Sequence, residues 1–436
     1  MGVFTSVSDS CMVLYMTRAH SILRPAALAL TALAMLLGMG ISPRADTKCD
    51  PDNGGLVLPE GFCATVVASQ LGTVRQLAVG PNGDLYAALS SKGSGGGGGV
   101  LAFRDRDGDG KPDERASFGP GGGNDVKLHN GYVYFALNDR IVRYRLGDGK
   151  LEPSGKEETV VSGLPKDGGH QAKSLAFGPD NAMYVNIGSK TNSCQKTDRL
   201  PASPGQDPCT ELEERAGIWR FSADRLGQHT ADGRRFATGL RNAMALATQP
   251  GTEALFAAVH GRDQLADNWG FSNEVNANNP AEELVRVESG GDYGWPYCYY
   301  SNQYQKKVQA PDYGGDGKKV GRCTAAKSPV LVFPGHWAPM ALAFYPSDAF
   351  GPKYKNGLFA AFHGSWNRAP LPQEGYRVVF VPFANGRPTG EYSTFATEKG
   401  GPTSLRASGV AVAPDGSLYI SADQNGKIWK VTKRKA

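Results

Sequence analysis

Three residues of different chemistry, His170, Arg241 and Trp337, stand nine positions ahead of a proline in a recurring apolar segment, the prolines being Pro179, Pro250 and Pro346. Gly72 and Leu405 hold the same place ahead of Pro81 and Pro414. Six positions ahead come Arg75, Lys173, Met244, Met340 and Ser408. If the segments are equivalent units around an axis, these positions ring one mouth, with His336 and Arg406 nearby. A base, several cations and an indole plane converging on one pocket suit a flat polyanion. Guanidinium grips carboxylates through paired hydrogen bonds, indole stacks, and imidazole exchanges protons near neutrality.

A second motif, RDRDGDGKPDE at 104–114, spaces Asp105, Asp107 and Asp109 alternately, with Gly110 for a sharp turn and Asp113 beyond. That spacing wraps oxygen ligands around Ca²⁺. The twelfth loop position is Ala116 where an EF-hand needs a bidentate Glu, so a structural calcium loop in a hairpin is expected, away from the mouth.

The positioning elements follow from the repeats. QLAVGPNGDLYAAL, SLAFGPDNAMYVNIG, MALATQPGTEALFAAV, ALAFYPSDAFGPKYKNGLFAAF and GVAVAPDGSLYISAD each read as two strands around a turn, and DVKLHNGYVYFAL is a sixth copy lacking the proline. Second hairpins lie between them: VLAFRDRDGDGK, RIVRYRL, GIWRFSAD, ELVRVES, YRVVFVPF and KIWKVTK. Six copies of a four-strand unit predict an all-β, six-bladed propeller with four-stranded antiparallel blades and long inter-blade insertions. FCATVVA at 62–68 is expected beside KIWKV, closing the ring and removing free edges.

Composition agrees. Gly at 57 and Pro at 28 among 436 residues suit short strands and tight turns. The formal charge of +5 forms no basic block, so a nucleic-acid partner is not expected. Arg18, His20 and Arg24 precede an apolar run from Ala26 to Ile41, which reads as an export signal over 1–45 with cleavage after Ala45; Met16 would give a tidier start. The propeller then occupies 46–436, in the periplasm or outside the cell, with no stable membrane insertion. Six cysteines follow the signal, an even number that reads as disulfides in an exported chain. Local closure pairs Cys49 with Cys63, Cys194 with Cys209 and Cys298 with Cys323. No CxxCH is present for a c-type haem.

GGHQAKSLAFGPD, GLRNAMALA, DYGWPYCYY, AFHGSWNR and YRVVFVPFANGRPTG resemble the L-sorbosone dehydrogenase group of sugar dehydrogenases that depend on pyrroloquinoline quinone (PQQ), a family that includes soluble glucose dehydrogenases. The resemblance runs from about Leu58 to Val431. It implies PQQ and Ca²⁺ as cofactors, a sugar or sugar-aldehyde substrate, and a separate cytochrome or quinone as electron acceptor. It makes His170 the general base and Arg241 the stabiliser of charge on the quinone oxygen, with Asn242 orienting. Cofactor contacts are implied for Arg75, Gln76, Lys173, Arg241, Asn242, His336, Trp337, Trp366, Arg368 and Arg406, and backbone ligation of the metal for Gly261 and Arg262. Lys173 stands where the group usually has Arg, and Trp337 where relatives commonly carry a small residue. Two other classes share this fold, a Ca²⁺-dependent lactonase and a non-catalytic binding propeller. An expected mouth rich in Arg, Lys and His, without the carboxylates a lactonase needs, argues against the first.

Overall fold

Alternating apolar residues in short strands produce six sheets arranged around one axis. In this computed structural model the described residues are 48–90, 99–147 and 149–434; the expected export signal lies outside them. The inner strands are Val74–Val79, Gly123–His129, Leu175–Phe177, Ala245–Thr248, Pro339–Tyr345 and Ala407–Val412. Each packs against the next, and the last packs against the first, so the ring closes.

Each blade then runs outward as an antiparallel meander. The second strands, such as Leu85–Leu89, Leu255–Val259 and Gly357–Phe362, are buried along their whole length. They face a neighbouring blade on both sides, which is why LYAAL, LFAAV and GLFAAF carry apolar residues at every position instead of alternating. Hydrophobic clusters fill the wedges between blades, one of them joining Trp429, Phe359 and Tyr345 across the fifth and sixth blades.

Ring closure follows the expectation. Phe62–Ala68 pairs antiparallel with Lys427–Lys433, bringing Val66 opposite Trp429 and Ala64 opposite Val431. The sixth blade is therefore built from both ends of the propeller. Three blades depart from the four-strand plan. Short fifth strands add to them at Leu56–Val57, Gln228–His229 and Gly291–Asp292, the latter two in parallel pairing.

All three disulfides form as expected, Cys49–Cys63, Cys194–Cys209 and Cys298–Cys323. They close loops of 14, 15 and 25 residues, where restricting the unfolded chain contributes about 3 kcal/mol each. Two of the three staple insertions on the blades that carry the site. Among the described residues no helix is long and apolar enough to cross a membrane.

Candidate active site

Buried polar side chains bind the inner strands to one another across the axis. Gln76 Nε2 donates to the Met244 carbonyl at 3.0 Å, Ser174 Oγ donates to the same carbonyl, and Asn124 Nδ2 donates to Lys173 O. Every donor in this plug reaches a carbonyl or hydroxyl, as burial requires.

A cavity of about 350 Å³ is lined by His170, Arg241, Asn242, Arg75, His336, Gly261 and Trp366, all expected from the sequence. It is also lined by Arg199, His260, Asp263 and Glu282, which sequence reasoning missed. His170 and Arg241 enter on the loops just ahead of their inner strands, as the repeat register requires.

His170 Nδ1 lies 3.0 Å from Ser189 O and 2.9 Å from Ser189 Oγ. The Ser189 hydroxyl gives its own proton to Thr191 O at 2.7 Å. Both Ser189 oxygens are therefore acceptors, Nδ1 carries the proton, and Nε2 keeps its lone pair. Burial, reinforced by the Arg241 guanidinium, holds this imidazole well below its ordinary pKa of 6.5. It is a neutral base. Its approach to the chain behind it depends on Gly188, where a Cβ would stand 2.6 Å from His170 Cβ and 2.8 Å from His170 O.

Arg241 is buried and almost fully engaged. Nε donates to Asn192 O at 2.9 Å, Nη2 to Asn192 Oδ1 at 2.9 Å and Asp263 Oδ2 at 3.2 Å, and Nη1 to Gly261 O at 2.7 Å. Asn242 makes none of these bonds; its Oδ1 accepts from Asn186. Asp263 also takes an ion pair from Arg199 at 3.0 Å and lies 3.7 Å from His336 Nδ1. Burial alone would raise the Asp263 pKa, but Arg241, His336 and Arg199 hold it far below the usual carboxylate range. Burial likewise opposes a charge on His336, yet Asp263 and Glu282 prevail and raise its pKa.

His260 is neutral for the same reason as His170: burial lowers its pKa to about 4. Its Nε2 donates to Pro339 O at 2.7 Å. Glu282 is a buried carboxyl that accepts from the backbone N–H groups of Gly261 and Ala338. Burial pushes its pKa up to about 7. The two carboxyls correct the expectation of a mouth furnished by cations alone. They were hard to see because Asp263 lies in a connecting segment and Glu282 in a third strand, outside the repeat position used to find the others.

Several expected contacts are turned elsewhere. Trp337 is in the apolar wedge, edge-on to Phe362 at 5.4 Å and under the Arg377 guanidinium at 4.6 Å. The reason is backbone geometry. His336 and Ala338 both adopt left-handed φ, 66° and 57°, so the register rotates and His336 faces the cavity in place of its neighbour. Lys173 is fully buried and donates to the carbonyls of Pro165 and Gln171; burial lowers its pKa to about 7. Gln76 belongs to the polar plug. Arg368 braces its own loop through Pro372 O and Ala277 O. Arg262 forms a buried ion pair with Asp312. Arg406 joins His363 and Asp423, and Asp423 also pairs with Arg75 at 2.8 Å, linking the first and sixth blades beside the mouth. Trp366 is 64% exposed, with Arg199 5.9 Å from its ring centre, and offers an open stacking face.

The acidic loop is a separate place. Asp105, Asp107 and Asp109 bring one oxygen each within 4.8 Å of the others, while Asp113 instead accepts from Arg106 N at 2.7 Å.

The family model described as TrAA12-like matches residues 56–434. A PQQ-dependent pyranose dehydrogenase of Coprinopsis cinerea is 29% identical over 264 residues, half of this chain and 35% of that protein. An uncharacterised protein of Borreliella burgdorferi is 28% identical over 206 residues, 45% of this chain and 48% of that protein. The chain thus spans less than half the length of these curated relatives. A Trichoderma reesei family AA12 structure superposes with a TM-score of 0.72 at 20% identity, covering 87% of this chain and 98% of the other. The holo PQQ domain of the Coprinopsis cinerea pyranose dehydrogenase gives 0.71 at 20% identity, covering 86% and 97%. With nearly the whole propeller inside one family model, and a fold shared end to end with these structures, the chain belongs to the TrAA12-like family.

Proposed function

We propose that this protein oxidises a sugar or sugar aldehyde with PQQ as its cofactor and Ca²⁺ in support. The observation that carries the reading is a neutral, tautomer-fixed His170 in one cavity with three guanidiniums, Arg75, Arg199 and Arg241. PQQ is a planar polycarboxylate, and this lining fits it: cations for the carboxylates and the open face of Trp366 for a ring. Arg75 and Arg241 would hold it, with Asn242 and His336 at its edge. A cation also fits. Glu282 is a buried carboxyl beside Gly261 with His336 as its nearby cation, and Ca²⁺ would be held there by the carbonyls of Gly261 and Arg262 with Glu282. Bound there, PQQ would supply a two-electron acceptor and Ca²⁺ a Lewis acid beside it.

The chain's own residues do the rest. His170 Nε2 receives the proton of the substrate hydroxyl, or of a hydrated aldehyde, while Ser189 keeps the ring turned toward it. Arg241, preorganised by its four hydrogen bonds, retains one Nη1–H for developing negative charge. Export to an oxidising compartment is supported by the three disulfides. A separate acceptor, cytochrome or quinone, would take the electrons onward.

The test is reconstitution of the purified protein with PQQ and Ca²⁺, following dye reduction by aldoses and sorbosone. Stoichiometric PQQ binding with sugar-dependent reduction is expected. No binding and no reduction would overturn the reading, and lactone hydrolysis by the PQQ-free protein would favour a hydrolase instead.

Two predictions arise here. Gly188→Ala pushes a methyl into His170, and kcat is expected to fall about a hundred-fold, as misplacement of a catalytic group by an ångström does. Steady-state rates normalised to bound PQQ check it. At the acidic loop, Ca²⁺ bound by Asp105, Asp107 and Asp109 is expected to raise the melting temperature relative to chelator, and Asp107→Asn to shrink that increment while leaving kcat alone. Thermal scans with and without chelator read both.

A further inference from the structure

We propose that Asn192, on the disulfide-stapled insertion of the third blade, is the positioning residue that sets the Arg241 guanidinium for reaction; this rests on the dehydrogenase reading above. Asn192 takes Arg241 Nε at its backbone oxygen and Nη2 at its side-chain oxygen, both at 2.9 Å, a two-point grip that fixes the guanidinium plane. The same residue holds Asp263, the other anchor of Arg241. Asp263 N donates to Asn192 Oδ1 at 2.9 Å, and Asn192 Nδ2 donates to Asp263 O at 3.0 Å. One side chain therefore orders both the cation and its counter-ion.

Asn192 is in turn fully buried and held from outside the propeller core. Trp295 Nε1 donates to its carbonyl at 3.1 Å, and its own N–H goes to Asp198 Oδ1 at 2.9 Å. Two residues on, Cys194 is tied to Cys209, and Ser193 Oγ donates to Asp312 at 2.9 Å. The inner strands deliver Arg241 to the cavity, and the insertion decides how its guanidinium is turned. An asparagine matches this role because its amide oxygen accepts from Arg241 and from Asp263 N while its NH₂ donates to Asp263 O.

The experiment compares wild type with Asn192→Ala and Asn192→Asp, the latter keeping both acceptors. The groups facing His170 are Arg241, His260 and Asp263. If Asn192 holds Arg241 in place, loosening it weakens the repulsion on His170. The His170 imidazole titration, followed by NMR on protein free of PQQ and Ca²⁺, is then expected to move to higher pH in Asn192→Ala. In reconstituted enzyme, kcat per bound PQQ is expected to fall about a hundred-fold while KM for the sugar changes little, the mark of lost alignment. Asn192→Asp is expected to retain most of the rate lost by Ala, and it decides the matter if the Ala variant does not fold. An unmoved His170 titration with kcat per loaded site unchanged in the folded variants overturns the proposal. Failure of the dehydrogenase reading shows separately, as wild-type protein that neither binds PQQ nor reduces dye.

Discussion

Replacing His170 with Asn is expected to lower kcat by about a thousand-fold, within the span measured for loss of a positioned general base. PQQ affinity and KM should change little, because the ring's hydrogen bonds run to Ser189 and, in the proposed function, its Nε2 serves only to take the substrate proton. Rates measured at saturating cofactor check this, and retention of full activity would remove His170 from the mechanism. The pH dependence has a defined sign. Burial and Arg241 depress the His170 pKa, so the base stays unprotonated through neutrality and its acid limb lies well below pH 6.5. Activity is present above the folded-state pKa and lost as pH falls through it. The same depression bears on stability. Below pH 6.5 the unfolded chain binds a proton that the native imidazole refuses, so stability declines as pH falls from there. His260, with its pKa near 4, adds to that decline in the same direction.

Asp312→Ala is expected to cost about 4 kcal/mol of stability, the scale for breaking one partner out of a buried ion pair. Arg262 and Asp312 are 3% and 0% exposed at their side chains, so truncating the acid leaves a guanidinium charged and dry. Asp312 further accepts from Ser193 Oγ at 2.9 Å, so the insertion carrying Asn192 also loses that tether, while the backbone bond from Gly205 N to the carbonyl of residue 312 persists. Denaturant or thermal unfolding of the PQQ-free protein measures the loss. Replacing both partners by apolar residues, Arg262→Met with Asp312→Leu, is expected to recover much of it, because no unpaired charge remains. Equal destabilisation by the double and single variants would contradict a charge-burial origin and assign the effect to packing.

The legibility of the site divides by distance along the chain. His170 and Arg241 were readable because they occupy one register of a repeat, and the ring repeats its geometry with its sequence. Arg75 followed from the companion position six ahead of the proline, and His336 from standing next to Trp337. Trp337 shows its limit: two left-handed residues around it rotate the backbone, and nothing local in HWA announces that turn. Lys173, Arg368 and Arg406 have the right chemistry for anion binding but find nearer partners in carbonyls and side chains of their own surroundings. Asp263 sits beside Gly261 and Arg262 in HGRD, so a signal was present, though no periodicity marked it as a counter-ion.

What the chain's own order of residues determined is the number of blades, their closure by Phe62–Ala68, the three disulfides and the repeat positions that bring His170 and Arg241 to one cavity. These rest on local rules, the period of strands, the chemistry of turns and the closeness of paired cysteines, which act within a few tens of residues. Tertiary structure alone decided which side chains converge. Asn192 meets Arg241 across 49 positions, and Asp423 meets Arg75 across 348. Such pairings depend on the summed rotation of successive blades and on insertions folded back over the mouth. The protonation of the site follows from the same convergence, since His170, Glu282 and Asp263 carry ordinary sequences and acquire their unusual acidities only from burial and from the charges brought beside them.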